Sequence, residues 1–226
     1  MALILAVESS ARFCSVALHR AGQLVSEIKV QQTRSAAAAL APSIKELFQQ
    51  CGLIIESIDA VSVAAGPGSY TGLRIASSTA KGICLALGKP LIALNTLEIM
   101  DRMVRDRVVA EKFCPMLDAR RAEVYAMILD QSHRPLSTVR NIILDSLGFQ
   151  QELEEGKVLF FGDGSDKWRN LCVHPNAIFQ TDIEPMASAM GELGWRAYEE
   201  KRFELVNQFE PHYLKEFVAG PKRKAD

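Results

Sequence analysis

Histidine is scarce in this sequence. His19, His133, His174 and His212 are the only four, and no two stand four residues apart. A zinc site built on one helix is thereby excluded, because it needs two imidazoles one turn apart. The five cysteines, Cys14, Cys51, Cys84, Cys114 and Cys172, lie in apolar surroundings and form no C-x-x-C pair. That pattern fits reduced core thiols in a cytosol better than a disulfide framework. Charge of one sign is also missing. With 26 Lys and Arg against 27 Asp and Glu, the net charge of −1 gives no general field to gather nucleic acid, so the chain is a poor stand-alone nucleic-acid binder and any RNA would be held by something else. No apolar run reaches the length of a membrane span. The opening Met1 to Val7 is apolar, but no basic segment precedes it and Glu8 cuts it short, so it reads as a strand and not a signal peptide.

What is present is a globular composition, 48% hydrophobic and 23% charged over 226 residues. That is enough for one domain or two closely packed lobes. The chain turns at Gly66-Pro67-Gly68-Ser69-Tyr70-Thr71-Gly72-Leu73-Arg74. Before it, Ala60 to Ala65 is a Val-rich buried strand. After it, Leu73 to Leu87 reads as a helix stopped by Gly88 and Pro90. Three glycines and a proline make a tight strand-to-helix turn, with Ser69 or Thr71 as the cap. Such a turn aims helix N–H groups at whatever lies above the strand end, which is an anion cradle or a purely structural corner. It is not a P-loop, for no Lys follows at the required spacing, and it lacks the G-x-G-x-x-G of a dinucleotide fold. Nor is it the G-x-S-x-G elbow of a serine hydrolase.

Along the chain, Leu3–Val7, Phe13–His19 and Leu24–Val30 predict an antiparallel meander turning at Arg20 to Gln23. Ala36–Cys51 is a helix with Leu40, Ile44, Leu47, Phe48 and Cys51 on one stripe and Ala37, Ala38 and Ala41 beside it. The helix from Leu73 carries only Arg74 and Lys81 as charges over four turns. Leu73, Ala76, Ala80, Ile83 and Leu87 serve the core, leaving Ile75, Ser78, Thr79, Gly82 and Ala86 for a second contact. That contact lies within the chain or with another one. Leu91–Leu94 is a strand, Thr96 caps a helix to Arg105, and the charged stretch Arg102 to Lys112 divides the halves. From Phe113 the pattern restarts: strands through Met116–Asp118 and from Glu123 to Leu129, a helix near Leu144 to Leu153, the strand Val158–Phe161 and a helix Met186 to Lys201. The echo suggests a duplicated architecture. The basic tail Pro221 to Lys224 is a solvated end or an RNA contact.

Glu8 and Asp118 end corresponding strands, where a two-lobed ATPase would hold a metal and phosphate. The turns after them, Ser9 to Arg12 and Ala119 to Ala122, contain no glycine to let backbone amides approach a phosphate. Ion pairs of Glu8 with Arg74 and of Asp118 with Arg120 are the simpler account.

Five segments together carry a resemblance. The nine residues Gly66 to Arg74, with Glu8-Ser9, Asn95-Thr96-Leu97, Asp118-Ala119-Arg120-Arg121-Ala122-Glu123-Val124-Tyr125 and Glu210-Pro211-His212-Tyr213-Leu214, closely resemble the TsaB (YeaZ) family. That family belongs to the bacterial machinery for threonylcarbamoyladenosine in tRNA. The resemblance implies an α/β fold of the actin, hexokinase and Hsp70 (ASKHA) kind. Its two lobes, 1–106 and 107–226 with a C-terminal tail, would each be a mixed sheet with flanking helices. It implies a non-catalytic paralogue of the catalytic subunit TsaD, which it binds and stabilises, working alongside the ATPase TsaE and pairing as a homodimer when alone. Contact with tRNA would come only through the complex, in the cytoplasm and away from any membrane. No catalytic residue, metal or cofactor is implied for the chain itself, while a nucleotide at the interface with TsaD is left open.

The partner-binding residues would be Ala37, Ala38, Ala41 and Lys45 on the first helix and Ile75, Ser78, Thr79, Gly82 and Ala86 on the second. Gly66, Pro67, Gly68, Ser69, Thr71, Gly72 and Arg74 would form the structural turn. Two departures stand out: many relatives have Asp-Thr in place of Glu8-Ser9, and many carry a histidine where this chain has Thr33-Arg34-Ser35-Ala36. The alternative is an ATP-dependent kinase or ATPase of the same fold.

Overall fold

The computed structural model describes residues 1–31, 36–105 and 108–214, and of residues 31 and 36–38 the backbone alone. The departure at Thr33 to Ala36, the side chains of Ala37 and Ala38, the 106/107 division and the basic tail lie outside the described residues or side chains.

Strands β1 (Leu3–Glu8), β2 (Phe13–Arg20) and β3 (Gln23–Gln31) form the expected antiparallel meander, turning through Ala21 and Gly22, both at positive φ. Helix α1 (Ala36–Cys51) stops at Gly52, whose φ is +63°. Then come β4 (Ala60–Gly66), α2 (Tyr70–Leu87), β5 (Leu91–Asn95) and α3 (Thr96–Val104). β4 pairs parallel with β1 and β5 parallel with β4, so the sheet order is β3-β2-β1-β4-β5. Every residue of β1 and β4 is buried, as central strands covered on both faces must be.

Two helix starts differ from expectation. The Ser69 hydroxyl accepts the Gly72 N–H at 3.2 Å, which draws the first turn of α2 back to Tyr70 and leaves Thr71 inside the helix. The cap of α3 is Asn95, whose Oδ1 accepts the Leu97 N–H at 2.8 Å, and Thr96 is the first helical residue.

The second half contains β6 (Lys112–Asp118), β7 (Glu123–Ala126), β8 (Leu129–Asp130), β9 (Arg140–Ile143), α4 (Gln150–Glu154), β10 (Val158–Phe161), α5 (Asp163–Arg169) and β11 (Ala177–Gln180). Its sheet order is β11-β10-β6-β7-β9, with β8 paired to β6. As in the first sheet, the opening strand has its antiparallel hairpin on one side and two parallel strands on the other. The duplication is therefore one of topology.

The strand expected from Glu123 to Leu129 is split into β7 and β8. The helix expected from Leu144 shrinks to α4, because Asp145 organises a turn instead: its side chain accepts the Leu147 N–H at 3.0 Å and its carbonyl the Trp168 indole N–H at 2.9 Å.

The last helix is also shorter than Met186 to Lys201. A 3₁₀ turn, Ala187–Met190, leads into α6 (Gly191–Glu199). Both pack on the first sheet, where Met190, Leu193 and Ala197 join Ile4, Ala6 and Ile92. α1 and α2 cover the opposite face through Leu40, Leu47, Ala76 and Ala80. Burial of each such leucine contributes roughly 1.5–3 kcal/mol. α3 ties the lobes together, placing Ile99 in the first core and Leu97, Met100 and Val104 in the second.

Candidate functional site

Two places were marked by the sequence: the ends of β1 and β6, and the second side of α2. At the first, the Gly66–Arg74 turn closes down on the turn after β1. The Ser69 N–H donates to the Ser10 carbonyl at 2.6 Å, and a Cβ on Gly68 would sit 2.5 Å from that same oxygen. Glycine is needed there because of this approach. Glu8 is fully buried; it accepts the Ser10 N–H at 2.7 Å and the Ser10 hydroxyl. Burial, against the opposing effect of these bonds, pushes its pKa up to about 8, and its Oε2 has no partner among the described residues.

The expected pairing with Arg74 does not form. The Arg74 guanidinium is on the surface and donates to the Tyr70 hydroxyl at 2.8 Å. Asp118 accepts the Arg120 backbone N–H at 2.5 Å and pairs with Lys167, so its cation is not the Arg120 side chain. Asp163, raised by burial, accepts the Asp118 N–H at 2.8 Å. The two acids thus stand at matching strand ends, but the amides beside them, on Ser10 and Arg120, already point back at Glu8 and Asp118. A phosphate there would have to displace those bonds.

The second place is open. α2 lies beside α1 on the first sheet, and Leu73, Ala76, Ala80 and Cys84 bury its inner side. Its two charges are both used locally, Arg74 by Tyr70 and Lys81 by the Phe209 carbonyl at 2.9 Å. The C-terminal segment straps the start of the helix: the His212 N–H donates to the Ala65 carbonyl at 2.7 Å, and Tyr213 packs on Tyr70 at 4.8 Å. Beyond the strap, Ser78, Gly82 and Ala86 are exposed, Thr79 is half-buried, and a Cβ on Gly82 would meet nothing within 4 Å. Ile75 leans into the chain's own core as a partly buried residue. On α1, Ala41 and Lys45 are exposed. Sequence reading missed Leu85, a leucine 59% exposed on the same flank. Its spacing of three from Gly82 and seven from Ser78 was the available signal.

Two sheets of one topology, joined by a helix shared between their cores, define the two-lobed class to which actin, hexokinase and the Hsp70 ATPase belong. The family model described as tRNA N6-adenosine threonylcarbamoyltransferase (TsaD) matches residues 23–196, and the chain belongs to that family, among its TsaB (YeaZ) members. It is 27% identical to the tRNA threonylcarbamoyladenosine biosynthesis protein TsaB of Bacillus subtilis, over 88% of this chain and 82% of that one. To TsaB of Escherichia coli it is 24% identical over 97% of both. YeaZ from Pseudomonas aeruginosa superimposes with a TM-score of 0.83 at 25% identity, covering 95% of this chain and 100% of that one.

Proposed function

We propose that the chain is a non-catalytic subunit of the machinery that places threonylcarbamoyladenosine beside the tRNA anticodon, and that it binds and stabilises the catalytic subunit TsaD. The observation that carries this reading is the outer flank of α2, where a nearly uncharged helix leaves small residues and Leu85 in water beside α1. Packed helices stand about 8–10 Å apart depending on the side chains at the contact, and small residues favour the closer approach. The curated TsaB relatives are named for biosynthesis of the same nucleoside. TsaE acts beside TsaD, tRNA is reached through the complex, and the same flank pairs two copies of the chain when TsaD is absent. Five free cysteines, three of them buried, fit a cytoplasmic setting. Should a nucleotide bind at the interface, the cavity of about 280 Å³ beside Arg74 and Lys81 is where its phosphates would meet cations.

Mixing the purified chain with TsaD should give a complex in size-exclusion chromatography, with an interface on the order of 1,600 Å², and should raise the melting temperature of TsaD. Two separate peaks at ten micromolar each would overturn the reading. The ATPase alternative predicts heat of binding and turnover when the chain alone is titrated with Mg-ATP. The inward-turned amides of Ser10 and Arg120 lead to the opposite expectation, no micromolar binding.

A further inference from the structure

The face of the first sheet opposite α1 and α2 carries a feature the scaffold reading does not use. A cavity of about 490 Å³ opens between the β2–β3 turn, the end of α3 and the start of α6. Two guanidinium groups of its lining meet one carboxylate, Glu192, which Arg102 reaches at 2.9 Å and Arg105 at 3.1 Å, while Arg196, outside the lining, stands 4.0 Å from it. The Arg102 side chain is only 10% exposed, whereas that of Glu192 is 54% exposed. Arg105 also lies in the field of the buried Asp101 and Arg196 in that of Glu98, so the cluster is a network of paired charges, of which Arg102 is the member most withdrawn from water. Surface ion pairs hold weakly, so a solvated Glu192 is exchangeable for another anion.

Beside the arginines lies the half-buried ring of Trp195, backed by Tyr198 at 6.1 Å with planes 16° apart. Close packing fixes this wall. A Cβ on Gly22 would come within 3.2 Å of Trp195 Cβ, and one on Gly191 would strike the Gly22 carbonyl and the His19 ring.

We propose that this cavity takes one nucleotide of an RNA strand. Its phosphate replaces the Glu192 carboxylate between Arg102 and Arg105, and its base lies on Trp195. Guanidinium pairs bind phosphate bidentately, an aromatic face stacks any base, and the volume falls in the range of small-ligand sites. The proposal rests on the tRNA-modification reading and adds to it a direct contact with RNA. Because the cavity and the α2 flank lie on opposite faces of one sheet, RNA and TsaD can be held together.

Tryptophan fluorescence of the full-length chain tests it, since Trp168 is fully buried and quenching therefore reports on Trp195. Titration with an unmodified tRNA transcript should quench the signal. Arg105→Gln should weaken binding about tenfold and flatten the slope of log K against log salt by about 0.7–0.9, one phosphate contact. Glu192→Gln should tighten binding about threefold, because it removes the competing carboxylate. The proposal is overturned if the transcript causes no quenching, if the two variants shift affinity in the same direction, or if polyglutamate binds as tightly as RNA. It is equally overturned if both variants merely lower the melting temperature, as a clamp joining α3 to α6 would. Complex formation with TsaD, measured on the same samples, should stay at the wild-type level; its absence in the wild type would count against the scaffold reading alone.

Discussion

Gly82→Leu should lower the affinity for TsaD by about a hundredfold or more while leaving the isolated chain slightly more stable. The two effects have separate origins. In the free chain a Cβ at Gly82 meets nothing within 4 Å, so leucine fits without strain. It also replaces the poorest helix former short of proline, a gain of about 0.5–1 kcal/mol in an exposed helix. For a chain of this size that raises the melting temperature by about 1–4 °C. In the proposed complex the same side chain would occupy the space through which a partner helix approaches, and a loss of about 2.7 kcal/mol or more is a hundredfold in Kd. Isothermal titration against TsaD and a thermal melt of the free variant check both halves. TsaD affinity within threefold of wild type would remove α2 from the interface.

The apolar runs Leu3–Val7 and Ala60–Ala65 were legible as buried strands, and the near-absence of charge on α2 set its second side apart from an ordinary solvated helix face. Ile75 is half-buried against the chain's own core, because a small shift around a helix decides between core and flank. Leu85 was missed because a leucine four turns into an apolar helix looks like any core residue.

The acids at the strand ends were located correctly but given the wrong partners. Glu8 bonds to Ser10, two residues on, and Asp118 pairs with Lys167, 49 residues on. Charge complementarity alone ranks neither above Arg74 or Arg120. β9, α5 and β11, of four, seven and four residues, are too short to show a period. The buried pair of His133 with Asp101 at 2.9 Å links α3 to a turn of the second half and has no local signature at all. The return of α6 to the first sheet is likewise a long-range event, fixed by Gly191 closing on His19.

Glu8→Gln should remove the pH dependence that Glu8 imposes on stability, so that the stability order of the two proteins changes with pH. The folded-state pKa of Glu8 is raised from 4.5 to about 8, chiefly by burial. Between those values the folded chain holds a proton that the unfolded chain has released. Stability contributed by this group is therefore greatest below about pH 4.5, falls as pH rises, and levels off above about pH 8. A shift of this size corresponds to about 3–5 kcal/mol over the whole window. Glutamine keeps an oxygen to accept the two Ser10 bonds but puts an NH₂ where Oε2 now has no partner, at a cost of about 1–3 kcal/mol. The variant should accordingly be the less stable of the two near pH 5 and the more stable at pH 9, with a crossing in between. Asp163, raised by burial, pulls in the same direction in both proteins and cancels in the comparison, whereas the charge of Glu184 acts on Glu8 and belongs to the difference. Urea denaturation of the two proteins from pH 5 to pH 9 measures the difference directly. A difference that stays constant with pH, or grows in favour of wild type as the solution becomes alkaline, would mean that Glu8 is ionised and balanced by a cation. The β1 strand end would then regain its candidacy as the acidic half of a metal–phosphate site.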